Sequence, residues 1–320
     1  MKRFKQVETR LLLFLISGIL LLSIGFVSCG TGPQTKTTVP DRGAYAVDFS
    51  AAPSELGFIS LSKSINSMAG LTGFTIEAWV KRNTSGVLNG GIFSRGTGDD
   101  DGEDWDGILL SIDTNVPVFT MAIYGVTGSS PYQVSGTTAL TNEWTHIVAV
   151  FANADHTSVH GTTATCTSAN RAATPHIDIY VDGTLISCAT TSGNLPQAFE
   201  YNEQIGRSQI HALPGTVTGS YLNTKLNAVI DEVRFWKVAR TATEINTWRQ
   251  KEITVANWYQ ANPDNALIGY WKLNEGAGTA IVDSSGTGNG GVKNYCDSDC
   301  AGASPTTILW EGGWTTGKLF

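Results

Sequence analysis

Three groups of residues in this 320-residue chain have types and spacings suited to chemistry. The first is an acidic run, Asp99-Asp100-Asp101-Gly102-Glu103-Asp104-Trp105-Asp106-Gly107. Calcium takes several oxygen ligands, and a glycine lets a chain curl round the ion. Asp99, Asp101 and Asp104 are therefore candidate calcium ligands, although the spacing is not that of an EF-hand; a solvated acidic loop is the alternative. Trp105 beside them can stack on the apolar face of a sugar ring. Tyr124 and Tyr132, in Gly/Ser-rich surroundings, are further candidates for ligand contact, with core packing or turn filling as the alternative for each. The second group is the carboxylate pair Asp231-Glu232 within an apolar segment. Neighbouring residues of a regular strand point to opposite faces, so these two are not expected to act together across one bond. If Val229, Val233 and Phe235 form the core face, Asp231 is aimed inward. A buried carboxylate then needs a cation or protein hydrogen-bond donors. The third group is the cysteines, five in number.

Other motifs are excluded. No GxSxG, HExxH or phosphate-binding lysine loop is present. His156 and His160 stand four apart, but in a loop-like Thr/Ser/Ala-rich stretch rather than on a helix. Gly286 to Gly291 lacks the lysine and helix of a phosphate loop and reads as turns.

The elements that position these groups are mostly strands. Only 15% of residues are charged, against 41% hydrophobic, too few for a coiled coil or helical array. Residues 74–80 alternate, with Phe74, Ile76, Ala78 and Val80 on one face. Residues 144–151 are apolar on both faces, as a central strand would be. Residues 176–181 alternate, and Asp182-Gly183 then predicts a tight hairpin into Thr184-Leu185-Ile186. Residues 228–236 form another strand. One helix is expected: Thr241 and Glu244 make a capping box, and Ile245 and Trp248 share a face directed at a sheet edge. Two packed antiparallel sheets fit these signals, and residues 266–320 supply too few strands for a second core.

The N-terminus reads as an export segment. Residues 1–10 are basic, and Leu11 to Val27 carries no charge, at the lower limit for a spanning helix and typical of a signal-peptide core. Phe26-Val27-Ser28-Cys29-Gly30 resembles the lipobox of bacterial lipoproteins. That resemblance implies cleavage after residue 28 and lipidation of Cys29, and Gly30 in place of Asp fits sorting to the outer membrane. Residues 29–43 read as a flexible tether. With Cys29 lipidated, Cys166, Cys188, Cys296 and Cys300 remain, an even set for disulfides outside the cytoplasm. The net charge is −7 for the whole chain. The first 28 residues carry Lys2, Arg3, Lys5 and Arg10 against Glu8, so the remainder carries −10. An acidic chain without a Lys/Arg run excludes nucleic acid as a partner.

Five segments come in an order that resembles the LamG-like jellyroll family, a branch of the concanavalin A-like lectin/glucanase fold. They are AVDFS (46–50), FTIEAWVK (74–81), WTHIVAVF (144–151), IDIYVDG (177–183) and IDEVRFWKVARTATEI (230–245). The tail LIGYWKLNEGAGTAIVDSSGTGNGG (267–291) resembles a segment that accompanies such domains. The resemblance implies an all-β, two-sheet antiparallel jellyroll sandwich over 44–320 with one short helix. It further implies a non-catalytic surface module for a glycan or extracellular protein, with calcium in many members. The related glucanases carry an ordered array of carboxylates that is missing here, so hydrolysis is the weaker expectation. Family pairing of the motifs makes Asp48 the companion of Asp231 at a structural calcium. The fold does not carry the ligand with it. The expected whole is a glycan-binding lipoprotein held at the bacterial surface through Cys29, with a protein-adhesion module as the alternative.

Overall fold

The computed structural model describes residues 45–52, 57–62, 68, 71–83, 89–98, 105–122, 132–137, 139–153, 175–191, 195, 203–208, 226–296, 307–309 and 311–318. All of them belong to one compact unit, Val39–Phe320. Their strands form two antiparallel sheets, as the jellyroll sandwich requires.

Sheet A takes strands from both ends of the chain. It contains β1 (Ala46–Asp48), β3 (Gly73–Arg82), β8 (Thr145–Ala152), β9 (His176–Val181), β10 (Thr184–Thr190), β12 (Ala228–Trp236), β13 (Leu267–Trp271) and β17 (Trp314–Thr315). Their order is β10-β9-β8-β3-β12-β1-β17, with β13 also paired to β12. Sheet B contains β2 (Gly57–Leu61), β4 (Gly90–Gly98), β5 (Trp105–Asp113), β6 (Val116–Ala122), β7 (Tyr132–Ser135), β11 (Gln204–Ile205), β14 (Ala280–Ile281), β15 (Gly291–Cys296) and β16 (Thr307–Leu309). Its order is β14-β15-β2-β11-β4-β5-β6-β7, with β16 paired to β15. The C-terminal strands are thus shared between the two sheets.

Alternation explains the core. Phe74, Ile76, Ala78 and Val80 of β3 all face the other sheet. In β8, Ile147, Ala149 and Phe151 join the same core, whereas Val148, Val150 and Ala152 pack in a second cluster on the opposite face. Both faces of β8 are buried, which is why its sequence is apolar from Ile147 to Ala152. Rings carry the contact between sheets. Phe74 stacks on Phe151 and Phe235 at 5.6 and 5.8 Å and meets Phe119 of sheet B edge-on at 6.1 Å. Phe93 of sheet B lies 5.7 Å from Phe235 and 6.1 Å from Trp271.

The turn between β9 and β10 has Asp182 at φ 49° and Gly183 at φ 78°. Two positive φ values match the twist of a two-residue hairpin. Helix α1 (Ala242–Trp248) carries the expected capping box, with Thr241 accepting from the Glu244 amide and Glu244 from the Thr241 amide. Its placement differs from expectation. It lies on the outer face of sheet A, not at an edge: Ile245 packs with Val148, Val150 and Tyr180. Trp248, with the segment through α2 (Trp258–Ala261), packs on Trp236 and Tyr270. The apolar outer side chains of β8 require that cover.

Asp283 organises the glycine-rich tail. Its carboxylate accepts from the amides of Tyr270, Ser285 and Asn289 and from the Thr287 hydroxyl, at 2.8–3.0 Å. Gly286 and Gly288 hold positive φ between these donors, so the stretch is a turn, as its composition predicts.

Phe235 contacts rings from both sheets. Phe235→Ala should therefore lower unfolding free energy by about 3–5 kcal/mol in urea denaturation, with a native-like circular dichroism spectrum before the transition.

Candidate functional site

Two surfaces of the sandwich face away from the core, and they differ in chemistry. On the outer face of sheet A the central strands carry charges. Glu77 (β3) and His146 (β8) are 1% exposed, as is Arg234 (β12). Glu77 Oε1 accepts from Trp236 Nε1 at 2.8 Å and lies 3.6 Å from Arg234 Nη1 and 3.9 Å from Arg240 Nη1. Its Oε2 is 3.3 Å from His146 Nε2. Burial opposes the charge on Glu77, but His146, Arg234 and Arg240 together hold its carboxyl far below the usual carboxylate range. Burial pushes His146 down, so its imidazole is neutral at neutral pH.

The same arginine fastens the helical cover. Arg234 donates to the carbonyls of Trp248 and Lys251 at 3.2 and 2.8 Å, and to Glu232 Oε2 at 2.7 Å. Tyr270 Oη donates to Glu232 Oε2 at 2.6 Å and accepts from the Ile253 amide. Trp79 Nε1 donates to the Arg249 carbonyl at 2.8 Å. These bonds tie β3, β8 and β12 to the segment that follows α1.

A β-bulge corrects the sequence reading of Asp231 and Glu232. The pairing of β12 with β3 shifts between Asp231 and Arg234, and Glu232 has φ 53°. The extra residue reverses alternation. Ala228 and Ile230 face the core before the bulge, Val233 and Phe235 after it. Asp231 is therefore paired with Trp79 on the outer face, not aimed inward. Both carboxyls lie on that same side, where burial and their mutual repulsion raise Asp231 well above its ordinary value. Burial also raises Glu232, against the pull of Arg234. They are neighbours, as regular alternation would forbid, yet they are enclosed rather than open to a substrate.

The outward face of sheet B is uncharged along a row crossing seven strands. Val292, Ser60, Gln204, Ser94, Leu109, Thr120 and Gln133 are successive cross-strand partners. Their alternating neighbours Ile59, Ile205, Phe93, Ile108 and Phe119 fill the core. Ser94 Oγ donates to the Arg207 carbonyl at 2.8 Å, and Gln133 Nε2 donates to Thr120 Oγ1 at 3.2 Å. Ser94, Leu109 and Thr120 are buried, Ser60 and Gln204 are half-buried, and Gln133 is exposed. Such hydroxyl and amide groups can exchange hydrogen bonds with a polyhydroxylated ligand.

The residues selected from sequence fall in several places. Asp48 Oδ1 accepts from Ser50 N and Oγ and from Asn83 Nδ2, at 2.6–2.9 Å. Asp231 accepts from the amides of Glu232 and Lys318 at 2.9 and 2.7 Å. Both carboxylates are engaged by protein donors. The pair does not fit calcium. No group of three or more His, Cys, Asp or Glu side chains able to hold a metal occurs among the described residues. Asp99, Asp101, Asp104 and Tyr124 lie outside the described residues, as do Cys29, His156, His160, Cys166 and Cys300. Trp105 begins β5 and Cys296 ends β15, described by backbone alone. Tyr132 packs against the core, which is the alternative reading of that residue. Cys188, on β10, is disulfide-bonded.

Sequence reasoning missed Ser60 and Gln204. Ser60 sits between Ile59 and Leu61 in an alternating strand, a signal that was readable. Gln204 belongs to a two-residue strand, too short for any period.

A family model, the concanavalin A-like lectin/glucanases superfamily, matches residues 57–246, more than half of the chain. The chain belongs to this superfamily. No curated protein matches the sequence. Among solved structures, this lectin/glucanase-like chain is similar to a candidate carbohydrate-binding protein of Bacteroides ovatus, at 17% identity and a TM-score of 0.48. That match covers 84% of this chain and 61% of the other, so the chain spans about three fifths of its length. It is similar to the CBM40 of the Ruminococcus gnavus IT-sialidase, at 14% identity and a TM-score of 0.39, covering 65% and 98% of the two chains. It is also similar to the SAP-like pentraxin of Limulus polyphemus, at 13% identity and a TM-score of 0.38, covering 63% and 79%.

The Glu77 cluster has a clear test. A carboxyl lowered on folding contributes stability that is present above its unfolded value, about 4.3, and lost as pH falls through its depressed folded value. Glu77→Gln should cost about 3–5 kcal/mol at pH 7, because it removes the buried negative charge that faces both Arg234 and Arg240. The same cost should persist at pH 5, read by urea denaturation at both pH values.

Proposed function

We propose that this chain is a non-catalytic carbohydrate-binding lipoprotein, exported and held at the bacterial surface by lipid on Cys29. The carrying observation is the uncharged row across sheet B, set in a lectin/glucanase-type sandwich. The outer face of sheet A is covered by α1 and α2. The carbohydrate-binding neighbours agree with this reading in their described roles. No catalytic role is assigned to the neighbouring carboxyls Asp231 and Glu232, since both are enclosed.

Calcium enters the proposal at the acidic run alone. Asp99, Asp101 and Asp104 would supply oxygen ligands and the ion would order the rim beside Trp105, whose ring would stack on a sugar. The tether 29–43 would hold the sandwich off the membrane. Cys166 and Cys188 would form one disulfide, Cys296 and Cys300 another.

The full chain should bind a subset of glycans on an array, and chelator should reduce that binding and lower the melting temperature. Absence of glycan binding would defeat the proposal; binding unchanged by chelator would remove calcium from it. Metabolic labelling with a fatty-acid analogue should mark the chain and fail in Cys29→Ser.

A further inference from the structure

His146 links the outer face of sheet A to the helical cover by several routes. Its amide donates to Asp182 Oδ1 at 3.0 Å, and its carbonyl accepts from the Asp182 amide at 2.8 Å. The carbonyl of Gly183, next in that turn, accepts from Asn246 Nδ2 of α1 at 2.8 Å. The His146 ring lies 5.1 Å from the ring of Trp79, whose indole N–H holds the Arg249 carbonyl just beyond α1. Its Nε2 is 3.3 Å from Glu77, and Glu77 faces Arg234, which holds the Trp248 and Lys251 carbonyls. A movement of this ring therefore reaches the end of α1.

The closed site has no place for a second proton on the ring. Nδ1 is enclosed and has no hydrogen-bond partner among the described residues. With Nε2–H directed at Glu77, Nδ1 carries the lone pair. A proton placed there would be a buried donor without an acceptor, which is unfavourable. Charged groups face the ring from the elements packed on it. Glu77 on β3 favours protonation, whereas Arg234 on β12 and Arg249 after α1 oppose it. Arg240 lies beyond Glu77, 3.9 Å from its other oxygen, and Lys318 lies over the Trp79 ring at 4.9 Å. Asp182, in the turn after β9, is engaged by the His146 amide. Burial outweighs the pull of Glu77 and keeps the ring neutral.

We propose that acid releases the helical cover through His146: below neutral pH, α1 and the segment that follows it part from sheet A, and the ring takes up a proton from water. The closed state refuses that proton, and the open state accepts it at the ordinary histidine value, about 6.5. Opening is therefore coupled to proton uptake. Its equilibrium constant rises by up to about tenfold for each pH unit below that value, so the cover is held at neutral pH and loosened as pH falls. Glu77 stays ionised through this range, because its carboxyl is held far below it. Parting of the cover bares the aromatic cluster of Trp236, Trp248 and Tyr270, which is buried when the cover is closed.

The test uses the full chain and His146→Gln, which keeps an N–H for Glu77 and cannot titrate. Hydrogen exchange of the Ile245 and Arg249 amides, which donate within α1, is measured at pH 7.5, 6.5 and 5.5 and corrected for the intrinsic rate. Between pH 6.5 and 5.5 their protection in the wild type should fall by up to about tenfold more than in His146→Gln, while the amides of β3 and β8 stay protected. The other titrating groups are common to both proteins, so the difference isolates His146. Parallel pH profiles in the two proteins overturn the proposal, as does an equal loss of protection in β3, β8 and α1. If His146→Gln does not fold, nitrogen chemical shifts of the wild-type ring decide. A neutral ring protonated at Nε2 below pH 6 supports the proposal; a ring that gains its proton at about 6.5 or above with α1 still protected overturns it.

Discussion

A single buried carboxylate, Glu77, organises the half of the molecule that is not available to a ligand. An ionised carboxylate removed from water is tolerable only if cations and donors surround it. Trp236, Arg234, Arg240 and His146 meet that need. Arg234 in turn binds the carbonyls that end α1. The charge therefore couples three strands of sheet A to the helical cover, and losing it would leave Glu232 as the one carboxylate beside Arg234 among the described residues.

That cover has a functional consequence. A two-sheet sandwich has two outer faces, and here the first is closed by helix and ion pairs. Sheet B carries no such cluster along its central row, only hydroxyls, amides and aliphatic groups. The two outer faces therefore differ in chemistry.

The carboxyl pair of β12 shows how a local backbone feature changes a chemical reading. One extra residue at Asp231–Glu232 turns two opposed side chains into neighbours. Regular alternation predicts an inward Asp231 suited to a cation; the bulge directs it outward onto the Lys318 amide. Proximity of two carboxyls is not by itself a catalytic arrangement, since here each is enclosed and bound to protein groups.

Much of the fold was legible in the residues. Alternation in 74–80, two-faced hydrophobicity in 144–151, the Asp182-Gly183 turn and the Thr241–Glu244 capping box are local, and local patterns follow from side-chain period and backbone geometry. The candidate site was less legible. Ser60 and Gln204 are 144 positions apart in number, and only strand pairing makes them neighbours. The sequence by itself determined the strand faces, the helix start and the two-sheet class, because these depend on residues a few positions apart. Tertiary structure alone decided the bulge at Glu232, the face that α1 covers and the row across sheet B. Each of these depends on which strands lie side by side, and that is settled by packing of the whole core.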